Sequence, residues 1–174
     1  MDSIQLLKNG LDSATKNVER TLDGLTMEEI NWHPRPDANS IGLILFHMAR
    51  SEDSLINGLI QGKNQLWETA EWYKKLGKAV DDGGAHYSAE QVEKFVTPDM
   101  AKLKEYSDAV RKQTLAYLDT LTPAKLDDKV TFPEGSKMPF EPIVGILVSL
   151  TVNHAVGHAG EISYIRGLKR GMDK

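Results

Sequence analysis

Apolar residues recur every three or four positions along most of this chain, the spacing that turns one face of an α-helix toward a core. Leu7, Leu11, Ala14, Val18, Leu22 and Leu25 predict a first amphipathic helix over residues 2–23, closing near Gly24. In TMEEINWHPRPDANS, Thr26 and Glu29 have capping-box spacing for one short turn, and Pro34 and Pro36 then impose an extended crossing. Ser40 suits the N-cap of a second long helix, SIGLILFHMARSEDSLINGLI, over 40–61. Residues 66–76 read as a short helix, GKAVDDGGAHY as a flexible connection, and Ser88 with Gln91 as the cap of another turn. Thr97 followed by Pro98 signals the start of a third long helix over 98–121, and Thr122-Pro123 repeats the signal for a short segment. DKVTFPEGSKMPFE suggests a small hairpin around Glu134 and Gly135. Pro142 then opens a last helix over 142–168.

Four long helices with short accessory pieces predict an all-α fold, an up-and-down four-helix bundle. There is no internal repeat, low-complexity tract or linker, so residues 1–174 are expected to form a single domain.

Composition narrows the partners. A net charge of −4 argues against nucleic acid, whose phosphates call for a clustered basic surface. The chain has no cysteine, which removes disulfides, thiolate metal ligands and a cysteine nucleophile. Its start lacks the apolar core of a signal peptide, and no apolar run reaches the roughly 18 residues needed to cross a membrane. A cytoplasmic protein without a membrane partner is expected.

The chemistry is concentrated in NHAVGHAGEISYIRGL. On a helix, His154 and His158 lie about 40° apart, and Glu161 falls about 20° to the other side of His154. Ile143, Leu147, Leu150, Ile165 and Leu168 share that face, so the imidazoles interrupt an apolar stripe. Two histidines one turn apart can offer nitrogens to one ion, and coordination removes the cost of burying them. A hydrogen-bonded core histidine is the competing explanation for each. His47 is a candidate third ligand: Leu43, Ser51, Ser54 and Gly58 fall within about 40° of it, leaving space beside the ring. His33 and His86 occupy proline- or glycine-rich connections and read as exposed loop histidines, His86 with a distant chance of serving a lid.

SIGLILFHMARSED, preceded by LTMEEINWHPRP and followed by NHAVGHAGEI, resembles the DinB-like (DNA-damage-inducible) metalloprotein superfamily over nearly the whole chain. The resemblance implies a four-helix bundle of the DinB/YfiT-like type, commonly dimeric, with a divalent metal held by His47, His154 and His158. Zinc or nickel is the first expectation for the ion, with iron, copper or manganese as alternatives. The family often has glutamine where this chain has Glu161, which stands as a catalytic candidate, a fourth ligand or a carboxylate behind a ligand. Several branches of the superfamily bind bacillithiol, mycothiol or glutathione as thiolate and add it to an electrophile. The resemblance therefore implies a thiol S-transferase with a small-molecule substrate and a low-molecular-weight thiol cosubstrate. Metal-dependent hydrolysis by bound water is the alternative, and a non-catalytic metal-binding dimeric stress protein is a third. The zinc-peptidase motif H-E-x-x-H is absent, because Ala155 follows His154. For the homodimer, Trp67, Trp72 and Tyr73 are spare apolar candidates, unless they cover the bundle's own core.

Overall fold

The computed structural model describes residues 2–132 and 139–171, so the hairpin expected around Glu134 and Gly135 lies outside the described residues. The long helices are α1 (Ser3–Leu22), α3 (Ile41–Glu52), α7 (Met100–Asp119) and α8 (Val144–Arg170). Between them come single turns: α2 (Met27–Ile30), α4 (Leu66–Thr69), α5 (Trp72–Lys75) and α6 (Ala89–Glu93). The fold is all-α. Among the described residues the only β pairing is an isolated antiparallel bridge between Lys129 and Ile143. α1 packs on α8, α8 on α3, α3 on α7, and α7 loosely back on α1.

The caps follow the chemistry of their residues. Asp2 accepts the Gln5 amide at 2.8 Å, Ser40 accepts that of Leu43 at 3.2 Å, and Thr26 with Glu29 closes a full capping box. Glu29 also pairs with Arg170, which ties the end of α8 to the corner between α1 and α2.

Several boundaries differ from the sequence expectation. α7 starts at Met100, capped by Asp99, because Thr97 is engaged elsewhere. Its amide and hydroxyl both donate to Asn31 Oδ1, and a Cβ on Gly42 would fall 1.7 Å from its Oγ1, so Thr97 docks flat on α3. Pro142 stays outside α8, its carbonyl accepting the Val130 amide at 2.8 Å. Residues 66–76 form two turns instead of one helix, broken at Glu71 with φ 52°.

The second long helix changes character halfway. From Asp53 to Ile60 it continues as a π-helix, with the Gln61 amide reaching Ile56 O five residues back. The change begins where Asp53 is captured. Its carboxylate accepts the Leu66 and Trp67 amides and the Tyr106 hydroxyl, at 2.8–3.1 Å. Beside it Arg50 donates to Gln65, to Tyr106 and to Asp82 O, and lies over the Trp67 ring at 4.3 Å.

These contacts correct two further expectations. The connection 77–87 is pinned: Arg50 and Trp67 Nε1 hold its carbonyls, and Asp82 accepts from the Gly84 amide and the Tyr87 hydroxyl. Trp67 and Trp72 are not spare apolar surface. Both are buried with Phe46 and Tyr106 in an aromatic core between α3, α7 and the turns 66–76, where the rings fill space that aliphatic helices leave open. A second core, with Leu11, Ile44, Val148 and Ile162, joins α1, α3 and α8.

Candidate metal centre

α3 and α8 face each other where His47 meets His154 and His158. The three rings offer ligand atoms that all lie within 4.8 Å of one another. His47 Nε2 is 2.8 Å from His154 Nε2, which is 3.1 Å from His158 Nε2. Nitrogens bonded to one ion at about 2.0–2.1 Å can be at most about 4.2 Å apart. The two separations through His154 meet that limit, and the pair His47 and His158, within 4.8 Å, would draw together slightly around an ion.

The protons explain why the cluster could hold a cation. His47 Nδ1 lies 2.9 Å from Gly84 O, a carbonyl that can only accept, so the ring carries its proton on Nδ1. His158 Nδ1 lies 2.8 Å from Glu161 Oε2, which assigns it the same tautomer. Two lone pairs therefore point at His154 Nε2, which has at most one proton to share between them. A divalent ion satisfies all three nitrogens, and the donor set fits it. Burial, reinforced by the charges of neighbouring imidazoles, lowers the His154 pKa from 6.5 to about 4. Burial also lowers that of His47, against the opposing bond to Gly84. Both rings are thus neutral, as ligands must be.

The surroundings hold these rings in place. The Gly84 carbonyl reaches His47 because the glycine takes φ +70° and lies against α3; a Cβ there would stand 3.0 Å from Arg50 Cβ and 3.4 Å from His47 Cα. Ser51 Oγ sits 3.3 Å from His47 Nδ1. Glu161 points away from the facing nitrogens and braces His158 from behind, and the bond from His158 holds its carboxyl below the usual range. Asn39 Nδ2 donates to its other oxygen at 3.5 Å. Gly84 and Asn39 were missed in the sequence, since neither lies on the helices that carry the ligands.

The histidines do not sit in the middle of a dry stripe. Of the residues expected to share their face, Leu147 and Ile165 are buried, while Leu150 and Leu168 are 39% and 50% exposed. His154 and His158 occupy the edge of the buried face, between core and solvent, which keeps the centre accessible. His86 is exposed, on the connection that carries Gly84, and is not one of the clustered ligands. His33 is half-buried instead of exposed, because its Nδ1 donates to Ala38 O at 2.6 Å and folds the proline segment back on itself.

The sequence model of the DinB superfamily matches residues 11–162. A crystal structure described as that of a conserved protein of locus from Enterococcus faecalis is similar throughout. It shows 26% identity and a TM-score of 0.83, with 99% of each chain covered. No curated protein matches the chain.

Proposed function

The chain belongs to the DinB superfamily, and from that premise we propose a cytoplasmic thiol S-transferase that works with a divalent ion, zinc or nickel, held by His47, His154 and His158. The observation that carries this reading is the convergence of three Nε2 atoms, two of them on rings whose protons are committed elsewhere. An ion bound there would lower the pKa of a thiol or water at its open positions. Three neutral ligands would leave the double positive charge unreduced, which favours an anion, thiolate or hydroxide, at the open positions.

The protein's own groups bind and orient. Gly84 O and Glu161 fix two of the rings, and burial keeps His47 and His154 free of competing protons. The thiolate sulfur forms a bond to an electrophilic carbon, the leaving group departs with its electron pair, and the thiol proton passes to solvent. The cytoplasm is where small thiols stay reduced, and no helix among the described residues is long and apolar enough to cross a membrane.

We place the homodimer interface on the outer face of α8. Leu150, Tyr164 and Leu168 are exposed there and lie within about 40° of one another around the helix. A mass of 19.4 kDa by light scattering at micromolar concentration would rule the dimer out.

The function is tested by counting metal ions per purified chain, then assaying glutathione, bacillithiol or mycothiol with a chloronitroaromatic acceptor. Halide release that needs the thiol, stops with chelator and returns with the ion is the expected result. Thiol-independent cleavage of an ester would make the protein a hydrolase instead. Metal without turnover on either substrate would make it a binding protein.

A further inference from the structure

A cavity of about 350 Å³ opens between α1 and α7, with α3 and α8 as its floor. Ligand sites are concave and of this order of volume, and this cleft runs from the exposed Ala101 and Ser107 down to the buried Leu103, Thr151 and Ala155. Ala14, Ala101 and Ser107 line it, where larger side chains would fill the space.

The walls say what the occupant is. Val18, Leu45, Met48 and Leu103 make them largely apolar. The charged groups that reach the cavity are already partnered. Arg111 donates from Nε and Nη2 to Glu52 at 2.8 and 2.7 Å, and from Nη1 to Leu11 O and Thr15. Lys104 pairs with Asp108 at 2.7 Å and spans to Glu19 on α1 at 3.7 Å. No unmet positive charge is left to hold an anionic ligand body. One lining residue, His154, belongs to both the cavity and the three-histidine cluster.

We infer that this cavity binds the uncharged, elongated aliphatic or aryl arm of a ligand whose metal-seeking head sits at the ion beside His154. This rests on the metal reading above. It makes the acceptor or its product a molecule with a sizeable apolar arm, and α1 with α7 the elements that choose it.

Two probes separate the cavity from the metal. N-phenyl-1-naphthylamine, neutral and fluorescent in apolar surroundings, reports on the cavity alone. The wild type should bind it saturably, one per chain. Ser107→Trp, which places an indole at the opening from an exposed position on α7, should weaken binding at least tenfold. Glu105→Trp, exposed on the same helix and outside the lining, should not. Far-UV circular dichroism confirms that both variants fold.

With metal-loaded protein, octanohydroxamate should bind at least tenfold tighter than acetohydroxamate. Ser107→Trp should erase that advantage and leave acetohydroxamate unchanged. Naphthylamine binding that is absent, or equal in Ser107→Trp, overturns the inference. So does a short hydroxamate that binds as well as the long one. Failure to take up any ion overturns the underlying metal reading, and the naphthylamine result then decides separately whether the cavity holds apolar ligands.

Discussion

His47 and His154, 107 positions apart in the chain, bring their Nε2 atoms to 2.8 Å of each other. His47 has its proton on the opposite nitrogen, donated to Gly84 O, so it meets His154 with a lone pair. His158 approaches the same atom at 3.1 Å in the same state. Three nitrogens with at most one proton among them form a site that a cation completes.

His154 is the shared contact, so its removal is the most direct test. His154→Ala should lose metal after dialysis against a weak chelator, while far-UV circular dichroism stays helical because Ala155, Ala159 and Ile162 still hold α8 in the core. A variant that keeps a full equivalent of metal would show that the other two histidines suffice or that the ion sits elsewhere.

Glu161 would act on a bound metal through its contact with His158. Partners of this kind typically contribute about 10–100-fold to metal affinity. Glu161→Gln can still accept the Nδ1 proton but has lost the charge, and should weaken binding about tenfold. Glu161→Leu removes the acceptor and should weaken it about 100-fold. Chelator competition measures both, and equal affinities in the two variants would mean that the carboxylate does not orient the ring.

The depressed pKa of His154 makes the metal-free protein sensitive to acid. The unfolded chain takes up this proton near pH 6.5, whereas the folded chain refuses it until about pH 4. The stability involved is therefore complete above 6.5 and lost as pH falls from 6.5 toward 4. His47 shifts in the same direction, also through burial first. Urea midpoints of chelated protein should fall between pH 7 and pH 5, less steeply in His154→Ala. Parallel slopes in the two proteins would count against the assignment.

Glu52 and Arg111 form a mostly buried two-point pair, with side chains 9% and 19% exposed. Removing one partner of such a pair typically costs about 3–5 kcal/mol, because the other charge is left buried and alone. Glu52→Leu and Arg111→Met should each approach about 3 kcal/mol in urea unfolding, the lower end of that range since Arg111 keeps some contact with water. The double variant should cost less than the sum of the two.

The helices were legible wherever local chemistry settles them. Leu11, Ala14 and Val18 mark the buried side of α1, Ser40 and Thr26 cap as their types suggest, and the His154–His158 spacing places two rings on one side of α8. What stayed hidden depends on distant partners. The apolar rhythm of residues 53–60 looks like ordinary helix, and only Trp67 and Tyr106, bonded to Asp53, reveal why it widens into a π-helix. The glycines and acids of residues 77–87 suggest slackness until Arg50 and Trp67 are seen to grip their carbonyls. Glu52 and Arg111 lie in polar-looking stretches of two helices, and nothing in either stretch announces the other.

The bond from His47 to Gly84 has a thermodynamic corollary. Gly84 contributes no ligand atom, yet its carbonyl holds the proton of one ligand in place. Coupling free energies are reciprocal: whatever factor the seated loop adds to metal affinity, the metal must return to the seating of the loop. The Gly84 amide, bonded to Asp82 Oδ1, is a reporter inside that loop, and its hydrogen exchange should slow when metal is added. Gly84→Ala, by blocking the close approach to α3, should uncouple the two. The segment that looked like a mere connection then works as a gauge, in which the rate of opening reads out the occupancy of a site to which it donates no ligand.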